Sequence, residues 1–158
     1  MQQMISGIIN GTPIWVWPLF LVLVMLGLRA TKRRIVPAWI FYLMPLLGLL
    51  AINGVYQRGG TLVIWLVFAL AYGAGIVLGY IKQQQWLISK QGGRVELRGE
   101  WVTLLTMMVV FLANFVAGFV AAVSPQLYAS QSFVVVFVAM TAMASGVFFG
   151  RAWRVFRS

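Results

Sequence analysis

Five apolar runs, separated by short polar gaps, make up most of the chain. They cover about residues 12–28, 36–56, 62–81, 101–123 and 133–150. Each is close to the ~20 residues that a helix needs to cross roughly 30 Å of hydrocarbon. Polarity within the runs does not alternate with a period of two, as the strands of a membrane barrel require. Helices satisfy every backbone N–H and C=O internally, which a segment away from water must do. The pattern predicts an all-α integral membrane protein, a five-helix transmembrane bundle forming a single domain over residues 1–158.

Proline and the small residues shape that bundle. Pro13 suits the first turn of the first helix, and Pro18 lies deeper in it. Pro37 opens the second run, and Pro45 lies near its middle with Gly48 one turn on. An interior proline removes a backbone hydrogen bond and crowds the preceding turn, so a bend is expected there. Pro45 and Gly48 are therefore the candidate hinge. Small residues recur every fourth position in the third run (Ala71, Gly75, Gly79), the fourth (Ala113, Ala117, Ala121) and the fifth (Ala142, Gly146, Gly150). A second row in the fourth run holds Asn114, Gly118 and Ala122. Such rows let two helix backbones approach closely. The expected contacts lie within one chain.

A different period appears in the gap between the third and fourth runs. Trp86, Leu87 and Ile88 lead into Lys90-Gln91-Gly92-Gly93, a turn signal. Beyond it, Arg94, Glu96, Arg98 and Glu100 alternate with Val95 and Leu97. Alternation beside a glycine turn predicts a short β-hairpin between helices 3 and 4. Its apolar face would rest on lipid headgroups or on the helix ends; a structured connector is the favoured reading, and a docking surface for a cytoplasmic or membrane-protein partner the alternative.

Charge orients the bundle. There are 12 Lys and Arg residues against two acidic ones, a net charge of +10. Arg29, Lys32, Arg33 and Arg34 fill the first gap, and Lys82, Lys90, Arg94 and Arg98 the third. Arg151, Arg154 and Arg157 follow the last run, and Arg58 alone falls in an alternate gap. Basic residues beside membrane spans are retained in the cytoplasm. The N-terminus is thus expected outside, the C-terminus inside and the hairpin in the cytoplasm. Trp15 and Trp17 fit the outer interface. The opening residues lack the basic stretch of a secretory signal, so no cleaved leader is expected. The natural partners of Arg29, Lys32, Arg33, Arg34, Arg151, Arg154 and Arg157 are anionic headgroups of the inner leaflet, at about 1 kcal/mol each. This account of the charge needs no nucleic acid.

Chemistry is sparse. Cys and His are absent. That removes thiol redox chemistry, Cys/His metal sites, imidazole ligation of haem and histidine acid–base catalysis. The two carboxylates, Glu96 and Glu100, both fall in the hairpin gap, so no acidic proton relay lies at membrane depth. No catalytic motif, metal or cofactor is expected, and the chain does not read as an enzyme. At membrane depth the polar candidates for ligand binding are Asn114, Tyr72 and Asn53. Were they to converge, they would line a neutral polar pocket open to the outside. A hydrogen bond to a neighbouring helix is a sufficient explanation for Asn114 and the favoured one.

The run Arg29-Ala30-Thr31-Lys32-Arg33-Arg34-Ile35-Val36, entering a proline-containing segment, and the run Gly93-Arg94-Val95-Glu96-Leu97-Arg98-Gly99-Glu100-Trp101 carry a resemblance. Together they resemble small bacterial multi-span inner-membrane proteins of unknown function. The layout is also similar to that of the CcdC-like membrane proteins named for cytochrome c biogenesis. The resemblance implies a multi-pass helical protein of the bacterial inner (cytoplasmic) membrane and brings no catalytic residues. The expected function is a small oligomeric transporter or channel, a homo-oligomer, for a neutral or anionic solute or lipid. The alternative is a non-catalytic accessory or scaffold subunit of a membrane complex.

Overall fold

The computed structural model describes residues 14–44, 46–91 and 93–157. In chain order the elements are α1 (Val16–Ala30), β1 (Arg34–Pro37), α2 (Trp39–Leu43), α3 (Leu46–Gln57), α4 (Leu62–Trp86), β2 (Leu87–Gln91), β3 (Arg94–Leu97), α5 (Val102–Val123), α6 (Pro125–Tyr128) and α7 (Gln131–Arg157). The described chain is mostly helical, with one small three-stranded sheet. Three helices, α4, α5 and α7, are long and apolar enough to cross a membrane. The 15 residues of α1 are equally apolar but shorter, about 22 Å at the usual helical rise.

The second apolar run is not one helix. Arg34–Pro37 is a strand, Trp39–Leu43 a short helix, and a second helix begins at Leu46. Pro37 has no N–H to donate, so it sits at the end of an edge strand, where proline is tolerated. Pro45 and the hinge role expected of it lie outside the described residues. Gly48 is buried on α3, where an added Cβ would come within 2.7 Å of the Tyr72 hydroxyl.

The expected hairpin is present, with β2 antiparallel to β3 and Gln91 opposite Arg94. Gly93 closes it at φ 76°, a conformation that glycine adopts without strain. The sequence did not predict the third strand. β1 pairs antiparallel with the free side of β3, with Arg34 opposite Leu97 and Val36 opposite Val95, giving the order β1-β3-β2. The alternation in β3 has the expected consequence. Val95 and Leu97 are buried against Ala38, Phe41, Ala152 and Val155. The sheet's apolar face therefore rests on α2 and the end of α7. Gly99 permits the next close approach, since a Cβ there would strike the carbonyl oxygen of Thr31. Beside it the Glu100 N–H donates to the Ala30 carbonyl at 2.9 Å, tying the start of α5 to the end of α1.

The small-residue rows of α4 and α7 meet, as expected, within one chain. A Cβ on Gly75 would meet the Met143 carbonyl oxygen, and one on Gly79 that of Val147. From the other side, Gly146 faces the Tyr72 carbonyl and Gly150 that of Ile76. With the backbones this close, dispersion contacts and complementary shape hold the pair, because lipid tails leave little hydrophobic driving force between helices. Ala113 and Ala117 of α5 join Phe68, Phe137, Val138 and Ala142 in the adjoining apolar core.

Candidate functional site

The way the helices lean on one another leaves a space. α1 packs on α5, where the rings of Phe20 and Phe111 lie 5.3 Å apart. α3 and α5 each pack on α7, but α1 and α3 make no comparable contact. The result is a cavity of about 990 Å³ bounded by α1, α3, α5 and α7. Among the described residues, nothing closes its side between α1 and α3 by packing. The wall is largely apolar, with Leu19 and Leu23 from α1, Val55 from α3, Phe111, Phe115 and Phe119 from α5, and Phe137 and Phe148 from α7. Gly118 faces it too, and an added Cβ there would meet nothing within 4 Å. Such a volume, apolar with a few placed polar groups, suits a small organic ligand or a lipid tail.

Four polar side chains line this wall: Arg58, Asn114, Thr141 and Ser145. Thr141 donates to the Phe137 carbonyl of its own helix at 2.8 Å. Asn114 does the same through Nδ2 to Val110, also at 2.8 Å. Both thus spend a donor within their own helix, the usual solution in an apolar setting.

Arg58 is the charged member. It follows the end of α3, in a turn that continues into Gly59 and Gly60, both with positive φ. Its Nη1 donates to the Gly54 carbonyl at 2.9 Å and its Nη2 to the Tyr128 hydroxyl at 3.2 Å. The guanidinium carbon lies 4.2 Å from the centre of the Phe137 ring and 5.7 Å from that of Tyr128. Ring faces and helix carbonyls partly compensate a cation. No carboxylate does so among the described residues. The enclosed Nε has no hydrogen-bond partner.

Of the ligand candidates read from sequence, the structure brings Asn114 alone to the cavity. Asn53 is exposed on α3 and does not line it. Tyr72 lies outside the lining, stacked on Phe68 with ring centres 5.4 Å apart. The neutral three-residue pocket is therefore not formed, because the two other side chains point away from the space Asn114 faces. Nor does Asn114 bridge to another helix through Nδ2. Arg58, read above only as an exception to the charge pattern, is the residue that sequence reasoning passed over. Its signal was its isolation from any acid.

The opposite end of the bundle holds the acids. Arg151 on α7 is wholly enclosed. Its Nη2 donates to Glu100 at 2.8 Å, its Nη1 to the Thr103 hydroxyl at 2.6 Å and its Nε to Gln83 at 2.9 Å. Glu100 also accepts the Thr103 N–H at 2.8 Å and the Thr103 hydroxyl. Arg34 stands 3.6 Å from the same carboxylate. Burial lowers the Arg34 guanidinium from its ordinary pKa; Glu100 opposes this, and Arg151 and Arg29 add to it. Arg151 and Arg34, assigned above to lipid headgroups, thus have their charge met inside the protein. A free headgroup contact would cost Arg151 this network. Arg33 reaches Glu96 at 2.6 Å, and Arg154 donates to the Tyr80 hydroxyl at 3.0 Å. Arg29, Lys32, Arg33 and Arg157 are exposed.

No protein-family model, curated protein or solved structure matches this chain.

Proposed function

We propose that the chain is an integral protein of the bacterial inner membrane that takes the apolar part of an amphiphile, such as a lipid, into its bundle and carries it within or across the bilayer. The observation that carries this reading is the apolar cavity and its unpacked side between α1 and α3. In this reading α1 and the α2–α3 segment provide two further crossings beside α4, α5 and α7, with the N-terminus outside. Large apolar side chains are exposed on all of them: Leu21 and Met25 on α1, Leu49 and Ile52 on α3, Leu66 and Leu70 on α4, Leu105 and Leu112 on α5, Val136 on α7. Patches of this extent suit hydrocarbon as solvent and not water. The sheet and the other eleven cations lie at one end, which the positive-inside bias assigns to the cytoplasm. A ligand tail passing from bilayer to cavity exchanges one apolar surrounding for another. Selectivity then falls to shape and to the few polar groups on the wall. One chain lines the cavity, so no second copy is needed, and the reading calls for no catalytic group.

Gly118→Phe tests it. An added Cβ at Gly118 meets nothing within 4 Å, and Gly118 lines the cavity, so a ring built there occupies cavity space. In liposomes, transfer of a lipid with a fluorescent tail is expected with the wild type and to be lost with Gly118→Phe. Equal transfer by both proteins, each shown to be folded, would remove the cavity from the mechanism.

A further inference from the structure

Resting on that reading, we infer that the cavity binds a membrane phospholipid from the outer leaflet, its phosphate held by Arg58 and an acyl chain lying between α1 and α3. Three observations converge on Arg58. First, its charge lacks an acid. Both carboxylate side chains are engaged at the other end of the bundle, Glu96 with Arg33 and Ser89, Glu100 with Arg151, Thr103 and Arg34. Phe137, beneath Arg58, and Arg151 are fourteen residues apart on α7, about 21 Å along a helix. Second, Arg58 lines the cavity, so its charge borders an apolar space. A cation beside low-dielectric walls attracts an anion more strongly than one in open water. Third, Nη1 and Nη2 each spend one N–H, on Gly54 and Tyr128, and each carries a second, while the enclosed Nε, like those of Arg34 and Arg154, makes no hydrogen bond. Basic residues disfavour the outer side of a membrane, so this chain retains one where topology argues against it.

The pairing follows from chemistry. A guanidinium presents a planar fork of donors that matches two oxygens of a phosphate. The unpacked side between α1 and α3 faces hydrocarbon, where lipids are the abundant amphiphiles. Tails alone would distinguish poorly between the cavity and the bilayer, whereas a desolvated ionic contact would not.

The test is native mass spectrometry of the full chain in a neutral detergent, offered phosphatidylglycerol or diacylglycerol with identical acyl chains. Gly118→Phe defines the fraction bound in the cavity and discounts lipid on the basic cytoplasmic end. In that fraction the wild type is expected to favour phosphatidylglycerol by about tenfold or more, the scale of one charged hydrogen-bonded contact. Arg58→Gln should bring the ratio near one and leave diacylglycerol retention unchanged; Arg58→Lys should keep part of the preference. An equal ratio in the wild type overturns the headgroup assignment and leaves the cavity reading standing, and this arm needs no Arg58 variant to fold. Retention of a free fatty acid in preference to phosphatidylglycerol overturns the choice of phospholipid. Retention of neither lipid in a Gly118→Phe-sensitive manner overturns both readings.

Discussion

Replacing Glu100 with Gln removes one charge from the buried Arg151–Glu100 network while nearly keeping its shape. Arg151 and the Thr103 N–H donate to different oxygens of the carboxylate, so the one amide oxygen can keep either bond but not both, and the change removes the charge together with one acceptor. Both partners are enclosed, with side-chain exposures of 0% for Arg151 and 1% for Glu100. Glu96, the other acidic side chain, is held by Arg33 and Ser89. Arg151 is then a buried cation without an anion, which costs about 3–5 kcal/mol. The reverse change, Arg151→Gln, is milder. Glu100 keeps the Thr103 N–H and has Arg34 at 3.6 Å, so the loss is that of a charged hydrogen bond, about 1.5–3 kcal/mol. The double variant should cost less than Glu100→Gln alone. Reversible unfolding in mixed detergent–dodecyl sulfate micelles, followed by the emission of the seven tryptophans, measures all three. At 1.36 kcal/mol per decade, Glu100→Gln should shift the equilibrium by roughly two to nearly four orders of magnitude. Equal costs for the two single variants, or strict additivity in the double, would refute the argument that Arg34 stands in reserve for Glu100 alone.

Three further outcomes are expected. Gly79→Leu drives a side chain into the Val147 carbonyl on α7 and should cost about 1–3 kcal/mol or more, whereas Gly73→Ala meets open space and should be neutral or stabilising by about 0.5–1 kcal/mol; the same unfolding assay separates them. Leu97→Ala empties a position that is 1% exposed, should cost about 2–5 kcal/mol, and should make the β2–β3 turn an early site of limited proteolysis. Because the chain has no cysteine, Gln91→Cys and Ala129→Cys give clean labels. An impermeant maleimide should reach Ala129→Cys from outside and Gln91→Cys only in inverted vesicles, and labelling of both from one face would overturn the proposed topology.

Whatever rests on local periodicity was legible in the sequence. The hairpin at 87–97 follows from alternation beside a glycine turn. The close-packing faces of α4 and α7 follow from glycines four residues apart, since spacing fixes the face they share, but that these two faces meet each other does not. The break in the second apolar run was half legible. Pro45 announces a bend, but Ile35 and Val36 are as apolar as the residues after them. Nothing local says that Arg34–Pro37 will leave the helix for a strand partner some sixty residues away. Arg151 shows the same limit. By position it is one more basic residue at a helix end. Its burial depends on Gln83, Glu100 and Thr103 arriving from two other segments. The cavity is the least legible feature, because it arises where helices fail to pack, and absent contacts carry no sequence signal. For Asn114 the sequence left open whether it faces a pocket or only packs; it lines the cavity, and Tyr72 and Asn53 do not.

The three-stranded sheet also sets an order of assembly. Its central strand, β3, is made long after β1 and joins the first segments of the chain to the middle ones. A growing chain emerges from its N-terminus, so Arg34–Pro37 waits without a ladder until residue 97 has been synthesised, by which time α1 and α4 have already been made. Val95 and Leu97 then wait again for Ala152 and Val155, near the end of the chain. The three-stranded cap is thus a clasp that closes last. A chain that stalls or is cut before α7 would leave Val95 and Leu97 without Ala152 and Val155, and Glu100 with Thr103 and Arg34 but without Arg151.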